Sequence, residues 1–382
     1  MKQVQKDENC ISIMPKRIVT LPGSNPGWSN VELIKDCGLI PWLLHKNHGH
    51  DVSMVGYKRE DDYPYLRKYV KGLKMEFLPD ESEEARANYI LENANQIDCL
   101  ILRGCYTSNF VPARLYKQTN PKGRIYVGLD ANSHWMDRII WNNPNFTQFM
   151  DDCDVIATSC RAMQRHLNEK WPWIIEHIPN GYYNFGPDFS VPEFEEKENV
   201  ILTVSRLGTT QKATEILMRA FAIIAGEIPS WNLKLVGNVD EKFRSFIERY
   251  FKTFPKLKKR VLFTGPIVER DKLAEQYRKA KIFALPSKLE GGTPNVIAEA
   301  LIAGCATAVT KFDAYEQAID GGKCGTFSEI DDIRGFANVL LSLCKDKNLP
   351  YLSEHAYQYA KKCLDMEKIT TKLNYMLFGG RE

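Results

Sequence analysis

A short stretch of the chain places an acid, a glycine turn and a second acid within ten positions. Residues 283–309 read FALPSKLEGGTPNVIAEALIAGCATAV. The apolar run 282–285 predicts a buried strand, and the proline and glycines after it predict a turn. A helix is expected to follow, with Thr293 as its N-cap, Pro294 as its first residue and Gly304 at its end. Because the N–H groups at a helix start attract anions, a phosphate is the expected ligand.

The second acid, Glu299, lies in a helix whose other residues are apolar or small. A carboxylate that is buried there needs hydrogen-bond donors, since an unpaired buried charge is costly. Asn295 lies four residues earlier on the same face. The alternative is a solvated helix face on which Glu299 is the one charge. The apolar context favours a ligand-binding role for this carboxylate.

A second group of candidates follows a predicted strand at 200–204. The sequence SRLGTTQK places Arg206 and Lys212 around a turn at the carboxyl end of that strand. A planar guanidinium and a mobile ammonium suit an anion that gains charge during a reaction. Two basic residues on a surface turn are also common, so this pair gains weight mainly in combination with Glu299.

These segments together resemble glycosyltransferase family 4, retaining enzymes of the GT-B fold that use nucleotide-activated sugars. The family pattern is a Glu, seven residues, then a second Glu followed by Ala. Here Glu299-Ala300 and the run Pro294-Asn295-Val296 match the pattern, but eight residues separate Glu290 from Glu299, and Gly291 holds the expected position of the first acid. The Gly-Gly turn either lets Glu290 reach the sugar, which we favour, or the contact is lost. The Arg–Lys spacing is also one residue longer than in the commonest form.

The resemblance implies transfer of a hexose-type sugar from a nucleoside diphosphate donor, with UDP as the expected nucleotide and no metal required. Arg206, Lys212 and the helix start would hold the diphosphate, Glu299 the ribose and Glu290 the sugar hydroxyls. No nucleophile stands out, which is compatible with same-face attack assisted by the leaving phosphate. The implied catalytic residues are Arg206, Lys212, Glu290 and Asp130. The implied donor-binding residues are Arg206, Lys212, Gly237, Thr293, Pro294, Asn295 and Glu299.

The beginning of the chain predicts a βαβ unit. A strand at 17–21 leads through a loop with Gly23 and Gly27 into a helix at 30–46 and a strand at 51–55. The loop lacks G-x-G-x-x-G, and no acid closes the second strand, so NAD is not supported. The loop resembles the family's glycine-containing first loop, where the two glycines would admit a phosphate or the acceptor. A plain turn is the alternative.

Two acidic positions in the first half have competing interpretations. Asp130 ends a predicted strand at 125–129, where α/β proteins place ligand contacts, and His134 lies four residues further on. The family often carries a His near this point, so the polar role belongs to either residue, or both are ordinary loop residues.

Asp152-Cys-Asp154 resembles an Asp-x-Asp metal motif. The favoured interpretation is a helix end leading into a strand at 155–158, so no metal site is predicted.

Alternating strands and helices predict an α/β protein of two Rossmann-like, doubly wound domains. As the resemblance implies, they would face a cleft in a GT-B fold. The expected division is an acceptor-side domain at 1–188, a nucleotide-sugar-binding domain at 189–355 and helices at 356–382 that cross back to the first domain. A polar linker is predicted at 187–199. The predicted strands are 17–21, 51–55, 99–102, 125–129, 155–158, 200–204, 233–236, 261–264, 282–285 and 306–309.

Composition narrows the class of protein and the compartment. The chain has 382 residues, 44% hydrophobic and 26% charged, with a net charge of +3. These values are typical of a globular protein and give no reason to expect nucleic acid. No apolar run is long enough to span a bilayer, and the N-terminal residues lack a signal-peptide core, so a cytoplasmic location is expected, with peripheral association at the inner face of the membrane left open. Ten cysteines without Cys-x-x-Cys spacing indicate reduced thiols.

The expected function is therefore sugar transfer to a glycan, glycolipid or other hydroxyl acceptor, in surface polysaccharide or glycoconjugate synthesis. Two alternatives stay open at this point. One is an epimerase or hydrolase acting on nucleotide sugars with the same fold. The other is a non-catalytic subunit that binds a sugar nucleotide or a glycan, which the displaced first Glu makes conceivable. The sequence does not determine the oligomeric state.

Overall fold

The computed structural model describes residues 14–23, 25–186 and 193–379, and the predicted boundary between residues 188 and 189 lies outside them. The chain forms two compact units. The first contains the described residues up to Gly128, Asn142–Ile156 and the described residues from Thr370 onward. The second contains Leu129–Trp141 and Ala157–Ile369.

The first sheet has eight strands among the described residues, in the order β2-β3-β1-β5-β6-β7-β8, with β4 paired to β3. Strand β1 is parallel to both β3 and β5, with Val19 opposite Ser53 and Leu100. Its residues after Arg17 are buried, as expected for a strand covered on both faces. The strands are β1 (Arg17–Thr20), β2 (Gly27–Trp28), β3 (Asp51–Lys58), β4 (Lys74–Leu78), β5 (Cys99–Arg103), β6 (Arg124–Leu129), β7 (Val155–Thr158) and β8 (Ile175–His177).

The second sheet has six described strands in the order β11-β10-β9-β12-β13-β14, and every neighbouring pair is parallel. The chain order runs outward in one direction from β9 and in the opposite direction from β12, so a reversal lies between these two strands. The strands are β9 (Glu198–Val204), β10 (Asn232–Val236), β11 (Val261–Gly265), β12 (Ala280–Leu285), β13 (Ala306–Thr310) and β14 (Gly325–Ser328).

Helices connect the strands in both halves of the chain. In the second unit, Phe221 and Phe336 are fully buried against the sheet residues Leu233, Leu235 and Ile282. The helices are α1 (Asp36–His48), α2 (Pro64–Lys68), α3 (Glu83–Asn93), α4 (Phe110–Thr119), α5 (Ser133–Met136), α6 (Pro144–Asp151), α7 (Arg161–Lys170), α8 (Thr214–Ile224), α9 (Arg244–Thr253), α10 (Arg270–Lys279), α11 (Asn295–Ile302), α12 (Tyr315–Ile319), α13 (Ile333–Lys345), α14 (Leu349–Cys363) and α15 (Met366–Phe378).

Each strand predicted from the sequence is present, and the doubly wound parallel architecture is confirmed. The sequence did not predict β2, β4, β8 or β14, because they are short or carry charged residues that blur the apolar pattern. The helix predicted at 30–46 is divided. A 3-10 turn at Asn30–Ile34 is followed by α1 after Lys35, whose extended backbone (φ −102°, ψ 177°) interrupts the helix. None of the helices that the structure describes is long and apolar enough to cross a membrane.

Candidate functional site

The reversal between β9 and β12 defines where a ligand site is expected in the second unit. Ile201 and Leu202 of β9 lie opposite Ile282 and Phe283 of β12. In open α/β sheets, ligands bind outside the carboxyl ends of the strands at such a reversal. The loop after β9 carries Arg206 and Lys212, and the loop after β12 carries Glu290. The sequence-predicted charges therefore follow the two strands that this rule selects.

Lys212 and Glu290 form an ion pair between these two loops. The ammonium of Lys212 contacts Oε1 of Glu290, and the two side chains are only 12% and 8% exposed. Arg206 joins the same network, because its Nη2 donates to Oε1 of Gln211 at 2.7 Å. Nε2 of Gln211 in turn lies 3.4 Å from Oε2 of Glu290. The structure thus brings together three predicted residues through Gln211, which the sequence analysis missed although it directly precedes Lys212.

The start of α11 lies just after the Gly291–Gly292 turn, one residue later than predicted. Pro294 is the N-cap, with an extended backbone (φ −62°, ψ 137°), and Asn295 is the first helical residue. Thr293 is not the cap, because its hydroxyl donates to the carbonyl of Ser159 at 3.2 Å and its own carbonyl accepts from Asn180 at 3.0 Å. The N-cap Pro294 makes no side-chain capping hydrogen bond. The positive end of the α11 dipole lies next to the glycine turn, as an anion site needs.

Glu299 has two donors on the neighbouring helix α10. The Tyr277 hydroxyl donates to Oε2 of Glu299 at 2.9 Å, and Nη2 of Arg270 lies 2.5 Å from Oε1. Burial, followed by the negative charge of Glu299, raises the pKa of Tyr277 well above its ordinary value, so this hydroxyl stays a donor. Arg270 and Tyr277 are seven residues apart, close to two helical turns, so both face α11. That spacing is the signal by which a sequence reading could have found them.

Gly237 and Asp130 lie near these loops for different reasons. A Cβ on Gly237, whose φ is 139°, would lie 1.9 Å from the carbonyl oxygen of Ser205. Only glycine fits where the ends of β9 and β10 approach so closely.

Oδ1 of Asp130 lies 3.4 Å from the point that a Cβ on Gly291 would occupy. Asp130, rather than His134, is therefore the polar residue beside the glycine turn; Nε2 of His134 is 2.7 Å from Nη2 of Arg138.

Gly23 and Gly27 lie in the first unit, where close backbone packing requires both. A Cβ on Gly23 would lie 2.5 Å from the carbonyl oxygen of Arg103, and a Cβ on Gly27 would lie 1.9 Å from that of Tyr57. Gly27 belongs to β2, which pairs with β3 at Tyr57. These contacts account for the glycines structurally, and their role toward a phosphate or an acceptor stays a prediction.

The two acids of the Asp-Cys-Asp segment have structural partners. Asp154 forms ion pairs with Lys117 at 2.8 Å and Arg124 at 3.0 Å. Asp152 is the C-cap of α6, as a helix end leading into β7 predicts. Within residues 14–23, 25–186 and 193–379, no group of three or more His, Cys, Asp or Glu side chains is placed to hold a metal ion.

Residues 198–346, which contain most of this site, match the family model described as glycosyl transferases group 1. Among curated proteins, the phosphatidyl-myo-inositol mannosyltransferase of Mycolicibacterium smegmatis is 23% identical over 174 residues. That alignment covers 45% of this chain and 43% of the relative, so the chain matches less than half of the length of that protein.

Solved structures share the architecture over almost the whole chain. HepE of Anabaena in complex with UDP has a TM-score of 0.72 and 15% identity, over 95% of this chain and 100% of its own. The same protein has also been solved with UDP-glucose. A glycosyltransferase from Rickettsia africae has a TM-score of 0.71 and 14% identity, over 95% of this chain and 98% of its own. The chain therefore has the GT-B fold, as its sequence predicts.

Proposed function

We propose that this chain is a retaining glycosyltransferase that moves a hexose-type sugar from a nucleoside diphosphate sugar, with UDP as the nucleotide, to a hydroxyl of a glycan or glycolipid. The observation that carries the proposal is the network of Arg206, Gln211, Glu290 and Lys212 at the reversal point of the second sheet. It lies within the stretch that matches the group 1 model. The UDP and UDP-glucose bound by HepE support this class of donor.

The leaving diphosphate would be stabilised by Arg206, Lys212 and the start of α11. Fixed cations and a helix dipole that point at developing negative charge lower the barrier without reorganising during the reaction. Lys212 contacts Glu290, but an ammonium has three N–H donors and can bind a carboxylate and a phosphate oxygen together. Asp130 would act beside the reacting sugar, since it lies next to Gly291.

The ribose would bind at Glu299. This carboxylate is 19% exposed, and Tyr277 and Arg270 orient it. A carboxylate has about four acceptor positions, so the ribose hydroxyls can bind beside the Tyr277 hydroxyl. Glu290 would discriminate among sugar hydroxyls from the neighbouring loop. The proposal needs no metal, because the two cations and the helix dipole already supply positive charge.

The proposed roles of the domains are those expected from the sequence. Residues 1–188 would form the acceptor side, 189–355 the donor side, and 356–382 a helical segment that returns to the first domain. The acceptor is taken to be a glycan or glycolipid, and the name of the curated relative, a phosphatidyl-myo-inositol mannosyltransferase, supports the lipid-linked option.

One observation favours a second candidate, a non-catalytic subunit that binds sugar nucleotides. Glu290 is 7% exposed and already paired with Lys212, one residue away from the position of the first family acid. A protein of that kind would bind a nucleotide sugar tightly and turn over no acceptor. Release of free sugar from the donor without acceptor would instead indicate a hydrolase.

A thermal-shift panel with UDP-, GDP-, ADP- and dTDP-sugars tests the proposal. A ligand at 100 times its Kd stabilises the folded state by about 2.7 kcal/mol, so Tm should rise by several degrees with a UDP-sugar and less with the others. Arg206→Ala should reduce the rise. The matched control is Arg244→Ala, an exposed arginine on α9 that pairs with Glu241. No response to any of the four nucleotides would exclude the donor assignment.

A further inference from the structure

The side chain of Gln211 connects the two loops that carry the proposed donor-binding charges. Its Oε1 accepts from Nη2 of Arg206 at 2.7 Å, and its Nε2 donates to the carbonyl of Leu289 at 2.9 Å and lies 3.4 Å from Oε2 of Glu290. Its backbone carbonyl also accepts from the N–H of Lys288 at 2.8 Å. One residue therefore contacts the loop after β9 and, at three consecutive positions, the loop after β12.

The chemistry of this position suits glutamine better than its neighbours in size. Arg206 offers only donors, whereas Leu289 and Glu290 offer only acceptors at these atoms. An amide presents an acceptor to the first and a donor to the others at the same time. Glutamate at this position would lose the N–H donor and add a negative charge beside Glu290. Lysine would lose the oxygen that accepts from Arg206.

The two loops that Gln211 connects both differ in length from the pattern that the chain resembles. The Arg206–Lys212 spacing and the Glu290–Glu299 spacing are each one residue longer than the pattern that the chain resembles. Gln211 lies within the first lengthened segment, and Glu290 begins the second.

We propose that Gln211 is a positioning residue that holds the Arg206 guanidinium and the Glu290 carboxylate in register for the donor. The inference rests on the proposed function, because it assigns Arg206 to the diphosphate and Glu290 to the sugar. It predicts that one side chain controls two separable properties. The amide oxygen of Gln211 controls affinity for the diphosphate through Arg206. The amide nitrogen controls discrimination between sugars through Glu290.

Two variants separate these properties. Gln211→Met removes both ends at similar size, and it should weaken calorimetric affinity for UDP at least fivefold and flatten the preference between UDP-glucose and UDP-galactose in kcat/KM. Gln211→Glu keeps the hydrogen-bond acceptor for Arg206 but loses the donor to Glu290, so its sugar preference should fall by a larger factor than its UDP affinity. Gln358→Met is the matched control, since Gln358 is exposed on α14 and contacts Glu354.

A double-mutant cycle with Arg206→Ala completes the test. If Gln211 acts through Arg206, Gln211→Met should cause no further loss of UDP affinity in the Arg206→Ala background. Additive losses, or wild-type behaviour of Gln211→Met, would overturn the inference while leaving the donor assignment in place. If the unmodified protein binds no UDP, both the inference and the proposed function are wrong. Should Gln211→Met fail to fold, the split between affinity and preference in Gln211→Glu decides the question.

Discussion

At the residue scale, the candidate site consists of charges whose partners come from distant positions in the chain. Glu290 has Lys212, 78 residues earlier, and Glu299 has Arg270, 29 residues earlier. Both carboxylates are mostly buried, so each needs its cation in the absence of substrate. Substitutions at these positions therefore affect ligand binding and folding together, and experiments have to separate the two.

Arg206→Ala and Lys212→Ala should each lower turnover at least tenfold, because both cations act on the charge of the leaving diphosphate. Arg206 is exposed, so its removal should leave Tm unchanged. Lys212→Ala also deprives a buried carboxylate of its cation, which costs about 3 kcal/mol when a buried pair is broken. Its turnover is therefore measured well below its melting temperature. Wild-type rates in both variants would end the diphosphate assignment.

The two acids should differ in which ligand they affect. Glu290→Gln should weaken discrimination between donors that differ at one hydroxyl, since a site built around a hydroxyl loses its preference when that partner changes. Glu299→Gln should weaken binding of free UDP as well, because the ribose is present with or without the sugar. Calorimetric affinities for UDP and UDP-glucose test both. Equal losses for both ligands in Glu290→Gln, or unchanged UDP affinity in Glu299→Gln, would show that the roles are assigned wrongly.

At the element scale, the ends of strands and helices decide where the site residues lie. The turn between β12 and α11 packs so closely on the segment after β7 that a Cβ on Gly292 would lie 1.9 Å from Oγ of Ser159. The carbonyl of Ser159 also accepts from the Thr293 hydroxyl. The position of the α11 N-terminus thus depends on a neighbouring segment as well as on its own capping residues.

Gly292→Ala should therefore destabilise the protein by about 2 kcal/mol, as overpacking usually does, and weaken UDP affinity by displacing the start of α11. Adding Ser159→Ala, which removes the clashing oxygen, should restore most of both losses. Urea unfolding and calorimetry measure the effects. Gly226→Ala is the control, because nothing lies within 4 Å of a Cβ placed there. If Gly292→Ala changes neither the free energy of unfolding nor the UDP affinity, the turn has room to shift.

In the first unit, Glu76 joins β4 to β1 and α3. It accepts from Arg17 and, at 2.7 Å, from the Tyr89 hydroxyl. Burial alone would raise the pKa of Glu76, but hydrogen bonds from Ser53, Tyr89 and Arg17 outweigh it and hold the pKa below its ordinary value of 4.5. The resulting stability is fully present above pH 4.5 and is lost as the pH falls through the lower folded-state pKa.

Glu76→Gln should accordingly lose about 1 kcal/mol of unfolding free energy at pH 7, the size expected for a partly exposed charged hydrogen bond. The difference from wild type should shrink as the pH falls from 4.5 toward 3. Urea midpoints across this range measure it. Glu92→Gln, an exposed glutamate on the same helix as Tyr89, is the control. A difference that stays constant with pH would mean that Glu76 acts by packing instead of charge.

At the scale of the whole molecule, the proposed function takes the positive charge needed at the diphosphate from the protein itself. Under the proposed function, Arg206, Lys212 and the start of α11 would supply it, while Asp154 is paired with Lys117 and Arg124. Activity should therefore survive treatment with EDTA, measured as initial rates before and after chelation and gel filtration. A strict requirement for Mg²⁺ or Mn²⁺ would return Asp152 and Asp154 to consideration as metal ligands.

The sequence by itself determined the fold class and the types of the candidate residues. Apolar runs located β1, β9, β12 and β13, because burial on both faces imposes such runs wherever the strand lies in the sheet. It also predicted that Glu299 needs donors, since the cost of burying a charge does not depend on which residues supply them. The same reasoning could not find β8 or β14, which are three and four residues long and too polar to signal.

Only the tertiary structure decided which residues meet. Tyr277 and Arg270 face Glu299 because α10 packs beside α11, and Gln211 reaches Glu290 because β9 and β12 are neighbours in the sheet. It also moved the N-cap from Thr293 to Pro294 and the first helical residue from Pro294 to Asn295, since the Thr293 hydroxyl bonds the Ser159 carbonyl instead of capping its own helix. Local patterns fix what a segment prefers, whereas partners 29 to 134 positions away depend on strand order, which no local pattern encodes.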